Sequence, residues 1–243
     1  MPASFARRLI DSPLNRLVVA LGVRMEKRRS AIGRALLPTF ATEAAGLVLD
    51  PPYEVRHPAR ISFGRDVRIG PNSVLKLTTH YPGPWMAHPD GEHVEQEFDP
   101  HVIFGDRVTA TAALQLTVYD LVTIEDDVLL ASNVHISDGG HATTRGDRPY
   151  KYQGIHRVAP VRVGRGAWIG QNSVILPGVT VGAYAVVGAN SVVTTSIPSG
   201  SIAVGAPARV VRRWDATREE WVRAGEDRAH EEPAHPNPGG SRS

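Results

Sequence analysis

The chain has 243 residues, 42% of them hydrophobic and 21% charged, with a formal net charge of +2 and no cysteine. Those values fit one domain of ordinary soluble composition with appendages. They exclude disulfides, thiolate metal sites and a cysteine nucleophile, and the mild charge gives no argument for nucleic acid as a partner. No apolar run reaches the roughly 18 residues of a membrane span, and an arginine-broken N-terminus lacks a signal-peptide layout. A cytoplasmic location is the default expectation.

In chain order, residues 1–40 read as helical, with Leu14, Leu17, Val18, Leu21 and Met25 at helix-like spacing. Arg7, Arg8, Arg16, Arg24, Lys27, Arg28, Arg29 and Arg34 outnumber Asp11 and Glu26 there. Such a basic amphipathic segment permits peripheral contact with an anionic membrane surface. The plainer reading, which we favour, is a helix laid across the open end of the following domain, hiding an edge strand. Residues 1–60 are therefore assigned to an N-terminal helical and extended segment.

Beyond Pro51-Pro52 a six-residue pattern begins. Ile61, Phe63, Val67, Ile69, Ser73 and Leu75 point inward, with Gly64 and Gly70 at corners. An excursion at 78–100 carries His80, Trp85, His88 and His93; a loop this long inside a compact repeat is more often functional than structural. The pattern resumes at Val102, Phe104, Val108, Ala110, Leu114 and Leu116, slips by two residues near Val118, and continues from Val122 to Ile136. A second excursion, 137–160, contains His141 and His156.

From Val161 the repeat is cleanest. Val163, Ile169, Ile175, Val181, Val187 and Val193 recur every six positions, each preceded two residues earlier by a small or apolar residue. A period of six matches neither a helix face nor a plain strand. It matches a short strand plus a turn, three of which close a coil that stacks as parallel strands. The expected fold is an all-β solenoid of about five coils over 61–213, and the pattern leaves its handedness open. Residues 214–243 are read as a tail with a short helical stretch through Trp221 and disorder beyond about Ala224.

Histidine on a loop is the natural candidate for chemistry, since imidazole is the usual general base toward a hydroxyl. His141 follows Asp138-Gly139-Gly140 where the chain leaves a coil. The stretches VTIEDDVLLASNVHISDGGH (122–141), WIGQNSVILPGVTVG (168–182) and VGAPARVVRR (204–213) resemble the hexapeptide-repeat acyltransferases. The similarity is greatest to the branch of maltose, galactoside and xenobiotic O-acetyltransferases. It covers about residues 100–213.

That resemblance implies a left-handed β-helix, a homotrimer with active sites in clefts between subunits, and acetyl-CoA as acyl donor without a metal. It makes His141 the base that accepts the proton of an acceptor hydroxyl on a sugar, glycan or other small molecule. It places Trp168 beside the thiol end of the coenzyme, Gln171 at a usually small position whose contact comes mainly from backbone, Ala189 where backbone groups hold the pantetheine arm, and Thr194 and Thr195 where a Thr-Lys pair is common. Arg209 and Arg212 match residues that reach the CoA phosphates. The acceptor-binding asparagine of sugar acetyltransferases corresponds to Thr111, so that site is not carried over, and the 78–100 loop is free to supply another pocket. For orientation of the His141 ring, Asp138 and a carbonyl are both open.

Two other readings compete. A zinc carbonic-anhydrase-like β-helix would use His135 and His141, but their five intervening residues depart from that family's four, and three convergent imidazoles are needed. A non-catalytic scaffold would have no use for His141, Trp168 and the two arginines together.

Overall fold

The computed structural model describes residues 17, 21, 24, 37–42, 45–83 and 85–225. Leu17, Leu21 and Arg24 are helical and exposed, in keeping with the helical reading there. The rest of the basic N-terminal run, with its membrane-contact reading, lies outside the described residues, as does the tail from 226 onward.

Successive strands visit three sheets in turn, so each pairs in parallel with a strand one coil earlier and one coil later. The first face stacks Val48–Leu49, Arg68–Ile69, Thr109–Ala110, Leu129–Leu130, Trp168–Ile169, Val186–Val187 and Ser201–Gly205. The second stacks Tyr53–Arg56, Ser73–Leu77, Gln115–Val118, His135–Ser137, Val174–Ile175 and Val192–Val193. The third stacks Ile61–Phe63, His101–Phe104, Leu121–Ile124, Val161–Val163 and Thr180–Val181. Stacking therefore starts at Val48, earlier than the expected Ile61, because Val48–Leu49 and Tyr53–Arg56 already pair in register with the next coil. The linking Asp50-Pro51-Pro52 lacks a corner glycine, which hides this coil from a search for hexads.

Inward positions alternate with outward ones, as period-2 strands require. Ile61, Phe104, Leu116, Ile124, Leu130, Ile136, Ile169 and Ile175 are fully buried in one continuous core. Each such side chain contributes about 1.5–3 kcal/mol of burial. Phe63 stacks on Phe104 with centroids 4.8 Å apart, and Phe40 meets Phe63 edge-on at 4.9 Å. Inward serines on the second face are small and self-satisfied: the Ser73 hydroxyl donates to the Gly70 carbonyl at 2.7 Å and accepts from the Leu114 N–H at 3.1 Å.

The corners divide labour between two residue types. Glycines such as Gly70 and Gly170 sit where the next coil's backbone leaves no room for a Cβ. At the corner between the first and second faces, left-handed backbone falls on Asn72, Asn133, Asn172 and Asn190, whose short amides tolerate positive φ. Those asparagines form one register column, and Asn133 donates to Asn172 at 3.0 Å, and Asn172 to Asn190 at 3.1 Å. Ala113, at φ 51°, occupies the same column between Asn72 and Asn133.

Both ends are covered. Residues 37–42 run as an irregular segment rather than the helix expected to residue 40. They still close the edge strand of the third face: the Ala41 N–H donates to the Ile61 carbonyl at 3.0 Å, and the Thr42 hydroxyl bridges the Phe63 backbone. At the other end the chain reverses into an antiparallel hairpin of Ala208–Asp215 and Glu220–Arg223 that extends the first face. The helical stretch expected through Trp221 is thus a strand. Sheet extension satisfies the exposed backbone edge and pairs Trp214 across from Trp221, ring centroids 5.5 Å apart.

Candidate active site

Both excursions leave the same edge of the prism, between its second and third faces: 78–100 after Ser73–Leu77 and 137–160 after His135–Ser137. The coil between them crosses this edge in a tight turn, Tyr119-Asp120. Asp138 is fully buried and spends its carboxylate there, accepting the N–H groups of Tyr119 and Asp120 at 2.8 Å each. Burial, the dominant influence, pushes its pKa up against those bonds. Asp138 therefore anchors the turn, a role distinct from orienting His141.

His141 is exposed at the mouth of the second excursion. Its backbone pairs with Ile155 in a two-residue antiparallel ladder, Gly140–His141 against Ile155–His156. Its ring meets Tyr81, from the first excursion, edge-on with centroids 5.9 Å apart. Tyr81, Tyr119 and Ile155 form a small buried cluster, backed by Met86, Phe98 and Val158. The two excursions are thereby one packed unit around the histidine. Sequence reasoning did not single out Tyr81 or Gln96, whose side chains hydrogen-bond across to Lys151 and Ile155 of the second excursion, or Gly154, where an added Cβ would meet Gln96.

The coenzyme-type residues gather elsewhere. In-register pairing runs Leu129, Trp168, Val186, Ile202 and Arg212 in one column on the outer side of the first face. At about 4.8 Å per strand, Trp168 and Arg212 lie roughly 14 Å apart. Arg209 and Arg212 are an odd distance apart and would face opposite sides of a regular strand. The register shift between Ile202 and Ala203 restores them to one side, opposite Val204 and Ile202. Trp168 is 49% exposed, and Leu129 in the same column and Val204 beside it are also exposed. Gln171 and Ala189 occupy the neighbouring corner on adjacent coils, where Gly170 packs against the Ala189 N–H.

Thr194 and Thr195 follow Val192–Val193 on the second face, so they share the edge of His141, two coils along. A single chain thus splits the expected site. Trp168, Gln171, Ala189, Arg209 and Arg212 lie on and beside the first face, and His141, Thr194 and Thr195 on the opposite edge.

A family model described as bacterial transferase hexapeptide (six repeats) matches residues 160–195. A probable acetyltransferase of Mycobacterium tuberculosis is 36% identical over 163 residues, covering 65% of this chain and 47% of that protein. Galactoside O-acetyltransferase of Escherichia coli is 42% identical over 103 residues, covering 42% of this chain and 49% of that protein. The solved structure of a galactoside acetyltransferase in complex with coenzyme A superposes with a TM-score of 0.51 at 26% identity, covering 81% of this chain and 74% of that one.

This is a hexapeptide-repeat protein. Its matches span about half the length of the two curated relatives. Within the hexapeptide-repeat coils, Thr111 takes a corner between the first and second faces and donates its hydroxyl to the Leu130 carbonyl at 3.2 Å. That places it away from the edge of His141. His135 projects from the second face between Gln115 and Val174, half-buried, and burial lowers its pKa. Among the described residues no three His, Asp or Glu side chains converge as a zinc site requires.

Proposed function

We propose that this hexapeptide-repeat protein is an acetyl-CoA-dependent O-acetyltransferase acting on a hydroxyl of a sugar, glycan or other small acceptor. In this reading the coil is left-handed, as in the acyltransferases it resembles, and the protein works as a homotrimer. The observation that carries the proposal is the division of the site. One face of the chain holds an exposed indole, an apolar column and two arginines on one side. An opposite edge holds an imidazole fixed by two packed loops. The first face of one copy set against the His141 edge of the next makes a cleft with both halves.

The chemistry follows from that cleft. Trp168 and the column through Val186 and Ile202 offer apolar surface for the pantetheine arm, and the corner backbone at Gln171 and Ala189 offers it amide partners. Arg209 and Arg212 meet the phosphates with guanidinium groups suited to bidentate contact. His141 accepts the proton of the acceptor hydroxyl as its oxygen attacks the thioester carbonyl. The tetrahedral oxyanion, steadied by backbone N–H donors, then collapses: the C–S bond breaks, CoA leaves as thiolate, and the imidazolium returns its proton to sulfur.

Arg209→Ala tests the donor half. Removing a charged hydrogen-bond partner costs about 1.5–3 kcal/mol, so CoA affinity should fall by roughly 10-fold or more. Dephospho-CoA, lacking the 3′-phosphate, should bind the variant and the unchanged protein alike in a calorimetric titration. Equal loss for both ligands contradicts a 3′-phosphate contact.

A further inference from the structure

We propose that the first excursion exists to hold the base, with Gln96 and Tyr81 as positioning residues for His141; the inference rests on the acyltransferase reading for its catalytic consequence. A two-residue antiparallel ladder such as that of His141 with Ile155 is too short to be rigid unaided. What stiffens it comes from 59 residues away. The Gln96 side-chain amide accepts the Ile155 N–H at 2.6 Å through Oε1 and donates to the Ile155 carbonyl at 3.0 Å through Nε2. One side chain thereby serves both backbone groups of Ile155, as a third strand would.

The contacts close on themselves. Gln96 pairs through its backbone with Tyr81, and Tyr81 packs its ring edge against His141. From His141 the ladder returns to Ile155, and from Ile155 the amide returns to Gln96. Two further ties join the same loops: the Tyr81 hydroxyl donates to the Lys151 carbonyl, and the Val94 N–H donates to the Tyr152 carbonyl at 3.2 Å.

Gly154 supplies an independent sign that the amide belongs there. It adopts φ +91°, and a Cβ added to it would lie 2.6 Å from Gln96 Oε1. Its carbonyl also accepts the N–H of Ala142, the residue after the histidine, at 3.0 Å. With Asp138 committed to Tyr119 and Asp120, this closed ring is what the described residues offer to fix the imidazole.

Two variants and two readouts test it. Gln96→Ala removes both amide bonds. Gln96→Glu keeps the shape, but its carboxylate opposes the Ile155 carbonyl unless protonated. The His141 signal in histidine-selective NMR, identified by its loss in His141→Ala, should shift or broaden in Gln96→Ala. The same variant's kcat should fall by about 10- to 100-fold, the scale of a misplaced catalytic group, with KM for acetyl-CoA within about 2-fold. Activity of Gln96→Glu relative to the unchanged protein should fall as pH rises through ionisation of the introduced carboxyl. An unmoved His141 signal with unchanged kcat in Gln96→Ala would overturn the proposal. If no form of the protein releases CoA from acetyl-CoA while the signal still moves, positioning stands and the acyltransferase reading falls.

Discussion

His141→Ala should cut kcat by about 10²-fold or more, the range set by loss of a general base, while acetyl-CoA binding and thermal stability stay unchanged. The expectation of intact structure comes from the surroundings. The ring is exposed, packs edge-on against Tyr81, and belongs to neither the main core nor the cluster around Tyr119 and Ile155. Acetyl-CoA binding is spared because most residues assigned to it, Trp168, Gln171, Ala189, Arg209 and Arg212, lie on and beside the first face, and Thr194 and Thr195 stand two coils away from His141 on its edge. Stopped assays of free thiol, with calorimetry for the coenzyme, separate the two effects. Full turnover by the variant removes His141 from the mechanism.

Gly70→Ala should damage the fold rather than the chemistry. Its new methyl would sit 1.8 Å from the Thr111 carbonyl oxygen and 2.5 Å from the Thr111 carbonyl carbon, both backbone atoms of the next coil. Neither can swing aside as a flexible side chain could, so the coils must part where the Gly70 N–H donates to the Ala110 carbonyl at 2.8 Å. Overpacking of this kind costs about 3 kcal/mol or more. At about 2–4 °C per kcal/mol for a domain of this size, Tm should drop by roughly 6–12 °C. A melting temperature within a degree of the unchanged protein would show that the coils are not held at this spacing.

How much of this was legible in the residues follows from what has a local period. Hexads announce themselves, so the inward residues from Ile61 to Val193, the corner glycines and both excursions fall where spacing put them. Val48–Leu49 and Tyr53–Arg56 escape because their corner is Asp50-Pro51-Pro52, without the glycine that marks the others. The Trp214–Trp221 pair escapes because its spacing of seven serves a helix face as well as a hairpin. Gln96 and Ile155 are beyond any local pattern, since a side-chain amide bonding a distant backbone leaves no repeat. Arg209 and Arg212 share a side through a bulge, which spacing alone would deny.

Within the proposed site, the Asp138-Gly139-Gly140 that precedes His141 singles it out in the sequence, yet the partition of its companions has no local sign. Position within a hexad tells which residue turns a corner, but a cleft between copies depends on how one prism meets another. Trp168 lies on the first face and His141 on the opposite edge, so the proposed cleft needs a second copy to bring them together.

Subunit complementation reaches that point directly. His141→Ala and an Arg209→Ala/Arg212→Ala double variant, each weakly active alone, are co-expressed with separate tags, and mixed oligomers are purified and assayed for CoA release. If each cleft takes its imidazole from one copy and its arginines from the next, every mixed trimer should hold one rebuilt cleft of its three, about a third of the clefts, with activity to match. Mixed oligomers no more active than the mean of their parents would contradict a site shared between chains.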